Sequence, residues 1–205
     1  MNDHTRRNIL VTGASLVALT GCSSLHLLEP SQELGKMYVL SPTLPTAAGG
    51  AHPWQIAVAG PEASSSLATD RIAIRRGDEM DYYANAQWTD SAPQLLQSLL
   101  VQTLEKNGVI AATDVAGIHS DFILQSELHT FEARYDHGDG APTIVVDVTL
   151  KLMAPRTAAI VATRQFHQEQ VASANNVSAA VEAFDQATGA LLEQVVAWLL
   201  EAARK

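Results

Sequence analysis

An α+β fold, with a mostly antiparallel sheet carrying two packed helices, is what the sequence predicts for the body of this chain. Three observations carry that prediction. Within residues 143–154, TIVVDVTLKLMA, the run Val146 to Leu152 alternates apolar and polar side chains, as a half-buried strand must. Two runs, 95–104 and 181–202, repeat apolar residues at spacings of three and four, as a helix with one buried face must. The order is strands, helix, more strands, closing helix, with no internal repeat. At 205 residues there is room for one domain with a sizeable core and some appendages, so residues 37–205 are expected to form a single α+β domain.

The first thirty residues have a separate logic. Arg6 and Arg7 form a short positive region, followed by the uncharged apolar run Asn8 to Leu19. A dozen such residues suit the core of an export signal, whereas a bilayer-spanning helix needs about 20. The run ends in Leu19-Thr20-Gly21-Cys22, and Cys22 is the only cysteine of the chain. It therefore has no intramolecular disulfide partner and cannot join a multi-thiolate zinc site. The four residues resemble the lipobox of bacterial lipoproteins, which implies a signal peptide over residues 1–21 and a lipidated tether over residues 22–36. It also implies a diacylglyceryl group on the Cys22 thiol and an N-acyl chain, palmitate among the candidates, on its amino group. An ordinary secretory cut after Gly21 would put bulky Leu19 where a small residue is preferred. Two or three acyl chains, at about 0.8 kcal/mol per buried methylene, hold a protein on a membrane where one chain is marginal. By analogy with lipoprotein sorting, Ser23 in place of an Asp favours the outer membrane, facing the periplasm. Thr5 to Leu10 also resembles a twin-arginine export signal, and a plain Sec signal with two arginines is the alternative.

Past the tether, Met37 to Leu40 reads as a short strand closed by Ser41-Pro42, and 41–53 as a loop rich in Pro, Gly and Ala. Trp54 to Gly60 alternates and stops at Pro61, which marks another strand. Arg71 to Arg75 and Met80 to Trp88 flank the turn Arg76-Gly77-Asp78-Glu79 as a hairpin. Asp90-Ser91 with Pro93 opens a helix whose stripe is Leu95, Leu96, Leu99, Leu100, Thr103 and Leu104, ended by Asn107-Gly108. From 121 onward Phe122, Leu124 and Leu128 share one face, but Phe131, Ala133 and Tyr135 follow in the opposite phase. A strand whose apolar phase flips at His129 and Thr130 must bend or carry a bulge there. After a turn at 136–140, Ile144, Val146, Val148, Leu150 and Leu152 line one face of the returning strand, with Asp147, Thr149 and Lys151 on the wet side. A further strand spans 159–171. The last helix, about 178–203, presents Val181, Phe184, Thr188, Leu191, Val195, Trp198 and Ala202 to the sheet.

Thirteen Lys and Arg against 22 Asp and Glu give a net charge of −9, a body that repels nucleic acid and anionic headgroups at long range. Catalysis finds no support, for there is no nucleophile elbow, phosphate loop or dinucleotide fingerprint. His119, His129 and His137 lie in or beside one hairpin without carboxylates at ligand spacing; only Glu127 and His129 could share a strand face, and a solvated sheet face explains them more simply. Asp136-His137-Gly138-Asp139-Gly140 lacks the spacing and closing Glu of a calcium loop. No catalytic residue, metal site or cofactor is expected beyond the covalent lipid on Cys22. The apolar helix stripes could line a lipid cleft, but core packing accounts for them.

With the lipobox, Tyr38-Val39-Leu40-Ser41-Pro42, the "IAV.GP" of the next strand, "RIAIRRG", Tyr82-Tyr83 leading to Trp88, and the two helices in this order, the chain resembles the ABC-type transport auxiliary lipoproteins, which include the PqiC-type lipoproteins. The resemblance covers essentially the whole body, although its individual motifs are loose and their order carries it. Where relatives often have Tyr-Leu after the Gly-Pro, this chain has "EASSSLATD". The resemblance implies a non-catalytic, periplasm-facing accessory lipoprotein working with an MCE protein, a permease and an ATPase that move phospholipid or other hydrophobic molecules between membranes. Only Cys22 carries over as a residue with a defined chemical role. Edge strands and the loop 60–71 are the expected contacts, and self-association is open. The second reading is a free-standing outer-membrane assembly or structural lipoprotein acting as a protein-binding module.

Overall fold

In the computed structural model, described over residues 35–47, 50–113, 119–136, 138 and 140–204, the elements follow the chain as β1 (Lys36–Tyr38), β2 (Gln55–Val58), β3 (Glu62–Ala63), β4 (Arg71–Arg76), β5 (Glu79–Trp88), α1 (Ala92–Lys106), β6 (Ile110–Ala112), β7 (Phe122–Arg134), β8 (Thr143–Ala154), β9 (Ala159–Val171) and α2 (Val177–Ala202). The signal peptide 1–21, Cys22 and the tether up to residue 34 lie outside the described residues, as do His137 and Asp139 of the expected 136–140 turn. The expected helices, the 71–88 hairpin and the three long strands are all present.

β7 organises the sheet. Along one side it pairs antiparallel with β8 from Ile123↔Met153 to Arg134↔Thr143, and β9 pairs antiparallel beyond β8. Along its other side β7 is met in turn by β2 (Val58↔Leu124), β3 (Glu62↔Glu127) and β4 (Ala73↔Glu132), each parallel to it. Residues 55–76 thus run beside β7 as one strand broken twice. The long crossover that parallel pairing requires is supplied by the chain that carries β5, α1 and β6. β5 lies antiparallel beyond β4, β1 parallel beyond β5, and β6 parallel beyond β2. The α+β class stands, and the long ladders are the antiparallel ones, whereas the short strands pair in parallel. β3 and β6 are too short to impress a period on the sequence.

The phase flip in β7 is a bulge. Leu128 pairs with Val148 and Thr130 with Asp147, so His129 is the extra residue. Before it, Leu124, Ser126 and Leu128 point inward, and after it Phe131, Ala133 and Tyr135 do. Opposite them Ile144, Val146, Val148, Leu150 and Leu152 are fully buried, while Asp147, Thr149 and Lys151 stay partly exposed on the outer face.

Both helices cover the inner face of the sheet. α1 begins with Pro93 in its first turn, where the missing N–H costs nothing, and buries Leu96, Leu99, Leu100 and Leu104. It ends at Asn107, followed by Gly108 at φ +75, the left-handed conformation that glycine tolerates. α2 is capped by Asn176, whose side chain accepts a 2.9 Å hydrogen bond from the Ala179 N–H. Its Phe184 sits 4.7 Å from Phe131 and edge-on to Trp88 at 5.2 Å, centroid to centroid, and Trp198 meets Phe166 at 5.5 Å. This aromatic set locks α2 onto β5, β7 and β9. Neither helix is long and apolar enough to cross a membrane.

Candidate functional site

The outer face of the sheet carries the histidine and carboxylate singled out from the sequence. His129 and Glu127 do share that face. His129 Nε2 lies 2.9 Å from Thr149 Oγ1, and its Nδ1 is 3.9 Å from Glu127 Oε1. Lys151 Nζ is 3.9 Å from the other Glu127 oxygen. The two groups sit in the open beside a lysine, with no nucleophile between them, which is the arrangement of a solvated strand face. His119 faces elsewhere, its Nε2 3.4 Å from Arg156 Nη2. Among the described residues no three His, Cys, Asp or Glu side chains stand close enough to hold a metal ion.

Farther along the same face, charged side chains form a lattice across four strands. Arg75 on β4 meets Glu132 on β7 at 3.2 Å. Arg134 on β7 donates to Asp136 at 2.7 Å and to Glu169 on β9 at 2.8 Å. His167 on β9 lies 2.9 Å from Asp147 on β8 and 3.4 Å from Glu169, and Gln165 donates to Asp147 at 2.7 Å. Burial pushes the Glu132 carboxyl above its usual range, against the pull of Arg75 and Arg134. The hydrogen bond from Arg134 does the reverse to Glu169, holding its carboxyl below the usual range. This lattice knits β4, β7, β8 and β9 together rather than presenting an unpaired reactive group. Sequence reasoning missed the buried Glu132, since its cover depends on β4 lying beside β7.

The two expected contact regions differ in character. The segment 60–71 is anchored into the domain. Leu67 is buried, Tyr82 Oη donates to the Ser66 carbonyl at 3.0 Å, and the Arg71 guanidinium stacks 3.8 Å above the Tyr82 ring. Its outward residues are Gly60, Glu62, Ser64, Ser65, Ala68, Asp70 and Arg71. β9, by contrast, is a 13-residue strand that among the described residues pairs with β8 alone, so its other edge is a free strand edge. Edge strands are commonly blunted by Lys or Pro, and β9 contains neither. Its first residues, Ala159-Ile160-Val161-Ala162-Thr163, are uncharged, and Ile160 is 57% exposed. At the opposite end of the sheet, Tyr83 and Tyr135 share a 2.8 Å hydroxyl–hydroxyl hydrogen bond, and Tyr135 donates on to Asn175 Oδ1. Burial raises the Tyr83 hydroxyl far above the usual tyrosine range, which leaves it a neutral structural link.

Comparison with known proteins gives the same architecture. The crystal structure of protein XCC0632 from Xanthomonas campestris, of the family DUF330, superposes with a TM-score of 0.77 at 26% identity, over 83% of this chain and 97% of that one. An uncharacterized protein of known structure is 18% identical with a TM-score of 0.63, over 82% of this chain and 99% of its own. The hypothetical protein CT253 from Chlamydia trachomatis shares the fold alone, at 7% identity and a TM-score of 0.52 over 71% of this chain and 95% of that one. No curated protein matches the chain. The family model of the ABC-type transport auxiliary lipoprotein component matches residues 38–196, from β1 to the last turns of α2. With that span covering nearly every described element, the chain belongs to the ABC-type transport auxiliary lipoprotein family.

Proposed function

We propose that this protein is a non-catalytic docking subunit of an MCE-type ABC transport system, held at the periplasmic side of the outer membrane by lipid on Cys22. Its partners are an MCE protein, a permease and an ATPase, and the cargo is phospholipid or another hydrophobic molecule moving between membranes. The observation that carries this reading is the family match over residues 38–196, which makes the chain an auxiliary component of ABC-type transport. The free β9 edge supports it by offering a backbone ladder on which a partner strand can add, with affinity from main-chain hydrogen bonds. The acidic body keeps the domain off anionic headgroups, so the lipid on Cys22 does the anchoring.

The test is photo-crosslinking of the full-length protein in native envelopes with identification of partners by mass spectrometry, beside a Cys22→Ala variant. MCE and permease peptides from the wild type, lost in Cys22→Ala together with outer-membrane fractionation, bear out the proposal. Crosslinks to envelope-assembly factors alone would replace it with the free-standing binding module.

A further inference from the structure

A groove of about 900 Å³ runs between the segment 41–47 and the outward face of α2. Its wall is a strap fixed at both ends. The Ser41 N–H donates to Asp185 Oδ1 at 2.6 Å, and the Ala47 N–H donates to Asn107 Oδ1 at 2.6 Å. In between, Lys106 Nζ donates to the Leu44 carbonyl at 2.7 Å, and Asn107 Nδ2 to the Pro45 carbonyl at 3.1 Å. The strap can lie this close to the helix because position 189 is glycine, where a Cβ would stand 3.3 Å from the Thr43 carbonyl oxygen. The floor is built of small residues, Gly189, Ala190 and Ala197, with Val196 beneath, and its volume falls in the range of about 300–1,000 Å³ typical of binding clefts.

Among the described residues, the charges in the groove all have one sign. Glu182, Asp185 and Glu193 line it, and no Lys, Arg or His does. α2 contains no basic residue along its 26 positions. Glu182 and Glu193 are exposed and make no ion pair among the described residues. Asp185 is half-buried, and the Ser41 N–H that donates to it is neutral and brings no opposite charge. A half-buried carboxylate between two like charges, on a floor smooth enough for close backbone approach, is complementary to a cation delivered on a chain. It is not complementary to an anionic lipid headgroup, which the three carboxylates repel.

We infer that this groove seats a segment of a partner protein that carries two Lys or Arg side chains, one meeting the Glu182–Asp185 end and one meeting Glu193. Eleven helical steps at about 1.5 Å each separate Glu182 from Glu193 by roughly 16 Å. An extended partner segment, at about 3.3 Å per residue, would therefore place its two basic residues roughly five positions apart. This deepens the docking reading above and rests on it, since the partner is taken to be a subunit of the same transport system.

The test uses the full-length lipidated protein in native envelopes, with a photo-crosslinking residue at Gln186 in the groove or at Thr163 on β9. Expected is a Gln186 crosslink to an MCE or permease subunit, mapped to a peptide with two basic residues. It should weaken at least tenfold in Glu182→Lys/Glu193→Lys, fall partially in Glu182→Gln/Glu193→Gln, and weaken when salt is raised from about 0.15 to 1 M. Both variants alter exposed side chains, and unchanged melting temperatures separate lost docking from lost fold. Transport subunits crosslinked from Thr163 alone, or from Gln186 with no sensitivity to charge reversal, overturn the groove and leave the docking role standing. Gln186 crosslinks confined to phospholipid or to a second copy also overturn it. If neither position reaches a transport subunit, the docking role falls as well.

Discussion

Deleting His129 should cost the protein far less than deleting its neighbour four residues back, and the reason lies in the β7–β8 register. Leu128 pairs with Val148 and Thr130 with Asp147, so His129 occupies a place with no partner of its own. Without it the strand alternates regularly from Leu128 inward to Thr130 outward to Phe131 inward, with every existing pair kept. What is lost is the exposed 2.9 Å His129–Thr149 hydrogen bond and the 3.9 Å approach to Glu127. A net of about 0.5–1.5 kcal/mol covers the hydrogen bond. On the other edge the chain must tighten by about 3.4 Å, and the 64–70 excursion between β3 and β4 has the length to absorb it. Deleting Gln125 instead leaves no unpaired place to close. Fully buried Leu124 is driven to the outer face, costing roughly 1.5–3 kcal/mol, and the Ile56↔Phe122 and Val58↔Leu124 pairs with β2 are broken besides. A loss of about 4 kcal/mol or more is expected, a large share of the 5–15 kcal/mol that an ordinary domain has. Urea denaturation followed by tryptophan fluorescence reads both. Equal destabilisation by the two deletions would refute the bulge as a register-neutral insertion.

Three further outcomes rest on the aromatic core, the α2 cap and the charged outer face. Phe184→Ala removes a fully buried ring that touches Phe131 and Trp88, and should destabilise by about 3–5 kcal/mol in urea melts; a loss under about 1 kcal/mol would mean α2 is not held by this cluster. Asn176→Ala deletes the α2 cap and should cost about 0.5–2 kcal/mol, whereas Asn176→Asp should restore most of it. Glu132→Gln should raise the melting temperature at pH 7. Its carboxyl sits above the unfolded value because of burial, so its contribution to stability is greatest below the unfolded pKa of about 4.3 and is lost as pH rises through the folded value. The gain should fade as pH falls toward 4, and a Gln variant less stable than wild type at pH 7 would show that the Arg75 pair outweighs desolvation. Glu169, held low by Arg134, works in the opposite sense, its contribution present above the unfolded pKa and lost as pH falls through the folded one.

What the sequence made legible is what repeats. The helical stripes of α1 and α2 and the apolar face of β8 from Ile144 to Leu152 each recur over nine residues or more, long enough for burial to imprint a period. The bulge was legible for the same reason, because two periodic half-strands in opposite phase need an extra residue between them. Parallel docking of β2, β3 and β4 on β7 left no such trace. The pairing segments are two to six residues long, and a partner reached through a crossover helix is fixed by tertiary contacts rather than by neighbours in sequence. The charged lattice on the outer face inherits that blindness, since Arg75 and Glu132 become partners only once β4 lies beside β7.

Gly189 shows how a local defect in a pattern can point to long-range structure. A glycine inside a long helix costs about 1 kcal/mol relative to alanine and reads in sequence as a weak point of α2. In the fold it stands where the 41–47 strap crosses the helix, with the Thr43 carbonyl too close for an ordinary Cβ contact. Three residues before it comes Gln186, and on the same stripe lie Glu182, Asp185 and Glu193, the polar positions that a helical wheel assigns simply to solvent. The strap turns that solvent face into a walled groove, and it does so through residues more than 140 positions away in the chain, Ser41 bonding to Asp185. In this chain the acidic stripe and the glycine that spoils an otherwise regular helix mark the place where a segment is laid across α2. It becomes readable only when the strap is known, which is why the groove could not be anticipated from composition or period.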